Sequence, residues 1–182
     1  MTDLKSADDV LAFWTEAGPE KWYKKDDAFD QAIRDNFFAT YEAAAQGRLR
    51  SWENEPDSAL ALIIVLDQFP RNMFRDSPRA WATDRLARDV ADASIAQGFD
   101  QSIDEKLRAF FYLPFMHSED LEDQLYCVEL CRALGNEDNL KYAEIHADVI
   151  RRFGRFPHRN DVLGRETTPE EQAFLDSGGF AG

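Results

Sequence analysis

Apolar residues return every three or four positions in one segment of this chain after another, and no stretch alternates apolar with polar for long enough to make a half-buried strand. That period fits only helices, so the chain is read as all-α. Ser6 opens a cap-like Ser-x-x-Asp, and Val10, Leu11, Trp14 and Ala17 form a stripe that ends at Gly18-Pro19. Phe29, Ile33, Phe37 and Tyr41 recur every four residues in a second helix that starts near Asp26 or Asp27 and stops at Gly47. Pro56 suits the first turn of a third helix, apolar nearly all round and therefore buried, which Pro70 is expected to break. Ser77-Pro78 reads as the start of a fourth, ended by Gly98; a fifth runs from about Ile103 to Leu113 and stops at Pro114. Ser118 is placed to cap a sixth, with Leu121, Leu125, Val128 and Leu134 inward and Gly135 at its end. The seventh spans about Glu137 to Phe153 before Gly154. Thr168-Pro169-Glu170-Glu171 is a capping box that opens a last short helix, and Gly178-Gly179 reads as a frayed tail. About eight helices joined by short loops make antiparallel neighbours. With no linker rich in Gly, Ser or Pro, residues 1–182 are expected to form one all-helical domain.

Composition narrows the function classes. The chain of 182 residues carries 35 Asp+Glu against 21 Lys+Arg, a formal net charge of −14, which repels nucleic acid and anionic membranes. The longest apolar run, residues 59–66, is far short of the roughly 20 residues a membrane-spanning helix needs. Residues 1–9 are acidic, without the basic-then-apolar pattern of a targeting peptide. Cys127 and Cys131, four apart on a helix, read as small core residues in a reducing cytoplasm. Arginine outnumbers lysine 15 to 6, and ten of the arginines fall within residues 71–88 and 151–165. A guanidinium is a planar fork that pairs bidentately with carboxylate or phosphate. Two such clusters in an acidic protein therefore suggest an anion site, and the plain alternative is pairing with the protein's own carboxylates.

Three segments do not read as ordinary connectors: Leu66-Asp67-Gln68-Phe69-Pro70-Arg71-Asn72-Met73-Phe74-Arg75, Leu113-Pro114-Phe115-Met116-His117-Ser118-Glu119-Asp120, and Arg151-Arg152-Phe153-Gly154-Arg155-Phe156-Pro157-His158-Arg159-Asn160 with Leu163-Gly164-Arg165 after it. Each sets aromatic and charged residues around a proline, where a plain turn favours small polar ones. The first and third echo each other, Phe69-Pro70-Arg71-Asn72 against Phe156-Pro157-His158-Arg159-Asn160. Two of the chain's three histidines, His117 and His158, lie in these segments, and His146 lies on the inward face of a helix with Ala143, Ile150 and Phe153. The three imidazoles are either separate core groups or one polar pocket. No His-x-x-x-His, Glu-x-x-His or Cys-x-x-Cys spacing supports a metal, and there is no phosphate-cradling glycine loop or nucleophile elbow.

The quoted segments resemble the three signatures of the bacterial domain-of-unknown-function 924 family. Trp22, Phe29, Leu163-Gly164-Arg165 and Thr167-Thr168-Pro169-Glu170-Glu171 also follow its pattern, so the likeness runs through essentially the whole chain. The chain departs at Phe13-Trp14-Thr15, where the family more often has a Phe-Trp-Phe-Gly-like start. The resemblance implies an all-helical fold similar to the tetratricopeptide-like superhelical proteins, and a bacterial, cytoplasmic origin. It implies no reaction, cofactor or catalytic residue.

Two functions follow. In the first, the proline-broken segments converge on a cationic pocket for a phosphorylated or carboxylated metabolite. Arg71, Arg155, His158 and Arg159 bind it with Asn72 and Asn160 beside them, and Asp67 or Glu119 acts with His117 in acid/base work. In the second, the same segments are latches in a helical scaffold that binds a protein partner, and exposed aromatics such as Trp22 and Trp81 line its groove.

Overall fold

The computed structural model describes residues 4–180, and every regular element among them is helical. The stretch read above for a targeting pattern lies partly outside them. No helix among the described residues is long and apolar enough to cross a membrane. The chain divides into two compact units, Met1–Pro114 and Phe115–Gly182.

The first unit opens with α1 (Ala7–Ala17), whose start is the expected capping box: Ser6 Oγ accepts from the Asp9 N–H, and the Asp9 carboxylate accepts from the Ser6 N–H. A single turn, α2 (Pro19–Trp22), and the long α3 (Asp27–Ala45) follow. The four-residue rhythm of α3 buries Phe29, Ile33, Phe37 and Tyr41 on one side. Trp14 has no exposed surface, and its ring meets Trp22, Phe29, Phe69 and Phe110 at centroid distances of 5.5–6.0 Å. Aromatic pairs at these separations contribute beyond the area they bury, which makes Trp14 the hub of this core. α4 (Pro56–Ile63) exposes Asp57 in its first turn and is buried all round from Ala59 onward, as its apolar run requires.

Pro70 does not break this helix. After Ile63 the backbone widens into a π-turn, Ile64–Gln68, and continues through α5 (Phe69–Met73). A proline has no N–H to offer the carbonyl four residues back, here that of Leu66. The Thr83 hydroxyl donates to that carbonyl at 2.6 Å instead, so the acceptor is not orphaned. The start expected at Ser77-Pro78 is a 3-10 turn, Pro78–Trp81, capped by Ser77; the α-helical part, α6, begins at Asp84 and ends at Ala96. The fifth expected helix is reduced to α7 (Glu105–Arg108) and a 3-10 turn, Ala109–Phe111. The boundary between the units falls within the short α8 (Leu113–Met116), so Pro114 again does not stop the backbone from turning.

The second unit is built on α9 (Leu121–Leu134) and α10 (Glu137–Phe153), an antiparallel pair joined by the left-handed Gly135 and the capping Asn136. The expected inward face of α9 is corrected. Leu121 and Leu125 are 36% and 45% exposed, while Gln124, Cys127, Val128 and Cys131 are buried. The reason is polar: the Gln124 amide donates to the carbonyls of Met116 and Ser118, both at 2.7 Å, before the helix begins. Satisfying those carbonyls turns the Gln124 face inward. The cap is Asp120, accepting from the Glu122 N–H, and Ser118 instead donates to Asp123. Cys127 and Cys131 are buried thiols in this core, their sulfurs 3.9 Å apart and not joined in a disulfide. α10 ends at the left-handed Gly154, a 3-10 turn spans Pro157–Arg159, and α11 (Pro169–Asp176) begins with the expected Thr168–Glu171 box.

Candidate functional site

In the first unit the Leu66–Asn72 signature is tied into a buried polar network. Asp67 has no exposed surface; it accepts from the Gln68 amide at 2.6 Å and lies 3.2 Å from the Arg71 guanidinium. Arg71 also forms a two-pronged pair with Asp84, both contacts at 3.0 Å. Burial works against the charge on Arg71, but Asp67 and Asp84 outweigh it and raise its pKa. Asn72 donates to Asp30 at 2.8 Å, and Arg75 pairs with the same carboxylate. Asp67 lies within the π-turn, four residues before Arg71. Asp67, Arg71 and Asn72 are thus engaged with protein groups, of which Asp84 and Asp30 were not marked by the sequence.

In the second unit the other two signatures meet. The Glu119 carboxylate accepts from the backbone N–H of Phe156 at 2.8 Å and from both prongs of Arg165 at 2.8 and 3.0 Å. Burial raises its pKa, but these donors, Arg165 first, prevail and lower it. Arg165 reaches on to the Phe156 carbonyl and to Asn160 Oδ1. The Asn160 amide donates to Glu171 and Thr167. Glu171 takes Arg155 with two prongs, at 2.6 and 2.8 Å, and the Thr168 N–H. The Arg155 hydrogen bonds are the largest cause, against burial, of a Glu171 pKa pulled down to about 2. One continuous chain, Glu119–Arg165–Asn160–Glu171–Arg155, therefore holds the loop closed. Gly164, at φ 64°, supplies the turn that brings Arg165 back.

Inside that loop Phe156, fully buried, gathers the remaining candidates. The Arg159 guanidinium lies 4.5 Å from its ring centroid, and the rings of His146 and His158 lie at 5.6 and 5.7 Å. Arg159 is 7% exposed and donates to the His117 carbonyl at 3.0 Å. His117 and His158 are half-buried. His146 bonds the Tyr142 carbonyl through Nδ1 at 2.7 Å, which fixes the N–H on that nitrogen. Its pKa falls to about 3, chiefly by burial, with the positive charges of His117, Arg159 and His158 adding to the effect. So all three imidazoles and Arg159 share one neighbourhood. Phe180, which the sequence did not single out, completes it: its ring lies 4.2 Å from His146 and 5.5 Å from His158. No group of three or more His, Cys, Asp or Glu among the described residues is placed to hold a metal ion.

Residues 10–179 match the model of a family described as bacterial proteins of unknown function, DUF924. The chain belongs to the DUF924 family. A solved structure of a protein of unknown function, ATU0120 from Agrobacterium tumefaciens, is similar at 49% identity, with a TM-score of 0.92, over 94% of this chain and 97% of that one. No curated protein matches. In this DUF924 protein the family signatures thus serve two different local structures, a buried ion network in one unit and a closed loop around Phe156 in the other.

Proposed function

We propose that this DUF924 protein binds an anionic small molecule, a phosphate ester or carboxylate, at the group formed by His117, His158 and Arg159. The observation that supports it is the gathering of the His158 and His146 rings and the Arg159 guanidinium on the Phe156 ring, with Arg159 also bonded to the His117 carbonyl. A guanidinium with imidazole donors beside it, in a chain with a net charge of −14, favours an anion there. Arg71 and Arg155 are assigned a different part. Arg71 and Arg155 are matched to protein carboxylates, and Asn72 and Asn160 are tied into the same networks. We assign binding to His117, His158 and Arg159, and bracing to the others. Any proton transfer falls to His117 and His158, because the Glu119 and Asp67 carboxylates are occupied by Arg165 and Arg71. The reduced Cys127 and Cys131 pair fits a reducing compartment, so we assign the protein to the cytoplasm.

A thermal-shift series with inorganic phosphate, phosphate esters and organic acids tests this reading. Wild type should be stabilised in a concentration-dependent way, and His158→Ala and Arg159→Gln should lose the response. No shift in wild type, or an equal shift in both variants, overturns it.

A second reading has one observation behind it. Leu125 and Tyr142, on α9 and α10, are 45% and 52% exposed, an apolar presentation suited to a protein partner. Trp22 and Trp81, the sequence's candidates for such a groove, are half-buried. A partner captured by wild type and lost with Leu125→Glu and Tyr142→Glu would favour the scaffold.

A further inference from the structure

The tail after α11 is folded back by its own residues. The expectation of a frayed end at Gly178-Gly179 is corrected here. Gly178 sits at φ 77°, a conformation that L side chains rarely adopt, and its N–H bonds the Leu175 carbonyl. Gly179 donates to the Phe174 carbonyl at 3.0 Å, and a Cβ at this position would stand 2.6 Å from the ring and carbonyl of Phe174. Two consecutive glycines are therefore required for the next residue to reach where it does. That residue, Phe180, covers His146, His158 and Phe156 at centroid distances of 4.2, 5.5 and 6.2 Å. The same ring is a wall of a hollow of about 360 Å³ whose other walls include Val149, Phe174, Lys141, Glu144 and Asp148. One aromatic side chain thus closes the imidazole cluster and borders a partly apolar space beside it.

We infer that Phe180 is a displaceable cap that occupies the place of a ligand's apolar part, and that the ligand is an amphiphilic anion, an aryl or alkyl phosphate or carboxylate. This rests on the anion-site reading above and adds to it the ligand's second half. The charges set the orientation. Glu144 and Asp148 outnumber Lys141 on the rim of the hollow and disfavour an anionic head there, whereas the Arg159 guanidinium beside His158 attracts one. The head goes to the imidazoles, and the apolar part takes the space now filled by the Phe180 ring and the hollow over Val149 and Phe174. An intramolecular cap lowers apparent affinity by the fraction of molecules in which it is closed.

The test compares phenyl phosphate with inorganic phosphate by titration calorimetry on wild type, Phe180→Ala and Gly179→Ala. The second variant keeps the aromatic ring but drives the tail from its seat. Circular dichroism and melting confirm that each is folded. Phenyl phosphate should bind both variants about tenfold more tightly than it binds wild type, as removal of a cap closed about nine-tenths of the time requires, and inorganic phosphate should gain little. If inorganic phosphate binds and phenyl phosphate gains nothing in either variant, the cap is wrong and the anion site stands. If both ligands gain equally, Phe180 is a plain obstruction and the amphiphilic ligand is wrong. If neither ligand binds any of the three proteins, the anion site and the cap fall together.

Discussion

The two proline loops, Phe69-Pro70-Arg71-Asn72 and Phe156-Pro157-His158-Arg159-Asn160, share their letters and little else. The first lies within a helix that carries on through it, and its carboxylates and guanidiniums pair in the interior. The second follows a helix that stops at Gly154, and its guanidinium and imidazole are gathered on an aromatic ring while outlying ion pairs hold the loop shut. What separates them is the fate of the carbonyl that a proline cannot serve. Thr83 takes it in the first loop, so the helix survives; in the second a glycine has already ended the helix and no such demand arises. A short motif does not dictate a structure. Its neighbours decide whether a proline is a widening or an end.

The contrast is broken most directly at Asp67. Asp67→Ala leaves Arg71 buried with half of its counter-charge, and chemical denaturation should show a loss of about 3–5 kcal/mol. A loss below about 1 kcal/mol would mean the first loop is no more an interior ion network than the second. The matching test on the other side is Glu119→Ala, which removes the partner of Arg165 and of the Phe156 N–H. The expected cost is about 2–3 kcal/mol, with faster amide exchange confined to residues 155–165.

Acid sharpens the comparison. The folded pKa of His146, about 3, is below its ordinary 6.5. Above pH 6.5 the imidazole is neutral in both folded and unfolded chains and contributes no pH dependence. Between 6.5 and 3 only the unfolded chain takes the proton, so stability falls as pH falls, by about 2 kcal/mol at pH 5. Glu171 extends the same trend: its pairing with Arg155 is fully present above pH 4.5 and is lost as pH drops towards 2. Denaturation from pH 7 to 5 should show a slope in wild type that His146→Phe flattens; parallel profiles would contradict this account. The smallest effect belongs to Thr83→Val, which strands the Leu66 carbonyl and should cost about 1–2 kcal/mol. Its amide-exchange signature should appear in residues 64–70.

Much of the fold was legible because its signals are local. Ser6, Thr168, Gly47, Gly135 and Gly154 mark helix ends through bonds or backbone angles that involve only near neighbours. The rhythm of Phe29, Ile33, Phe37 and Tyr41 likewise names its own buried face. What escaped depends on distant partners. Nothing near Pro70 announces that Thr83 will accept the helix's debt of one donor, and nothing in α9 announces that Gln124 will be needed inside. The site divides in the same way. Mixed aromatic and charged residues around the prolines point to His117, His158 and Arg159, but which carboxylates hold Arg71 and Arg155 depends on where the distant Asp84 and Glu171 lie.

The widened turn at Ile64–Gln68 has a consequence for where the later residues point. It absorbs one residue more than regular winding accommodates, and each residue of an α-helix advances the next by about 100°. Rewinding the same residues evenly, with none removed, would swing everything beyond them around the axis by about that angle. Arg71 would then face away from Asp84. Along these five positions the width of the winding is as tightly fixed as the identity of the residues.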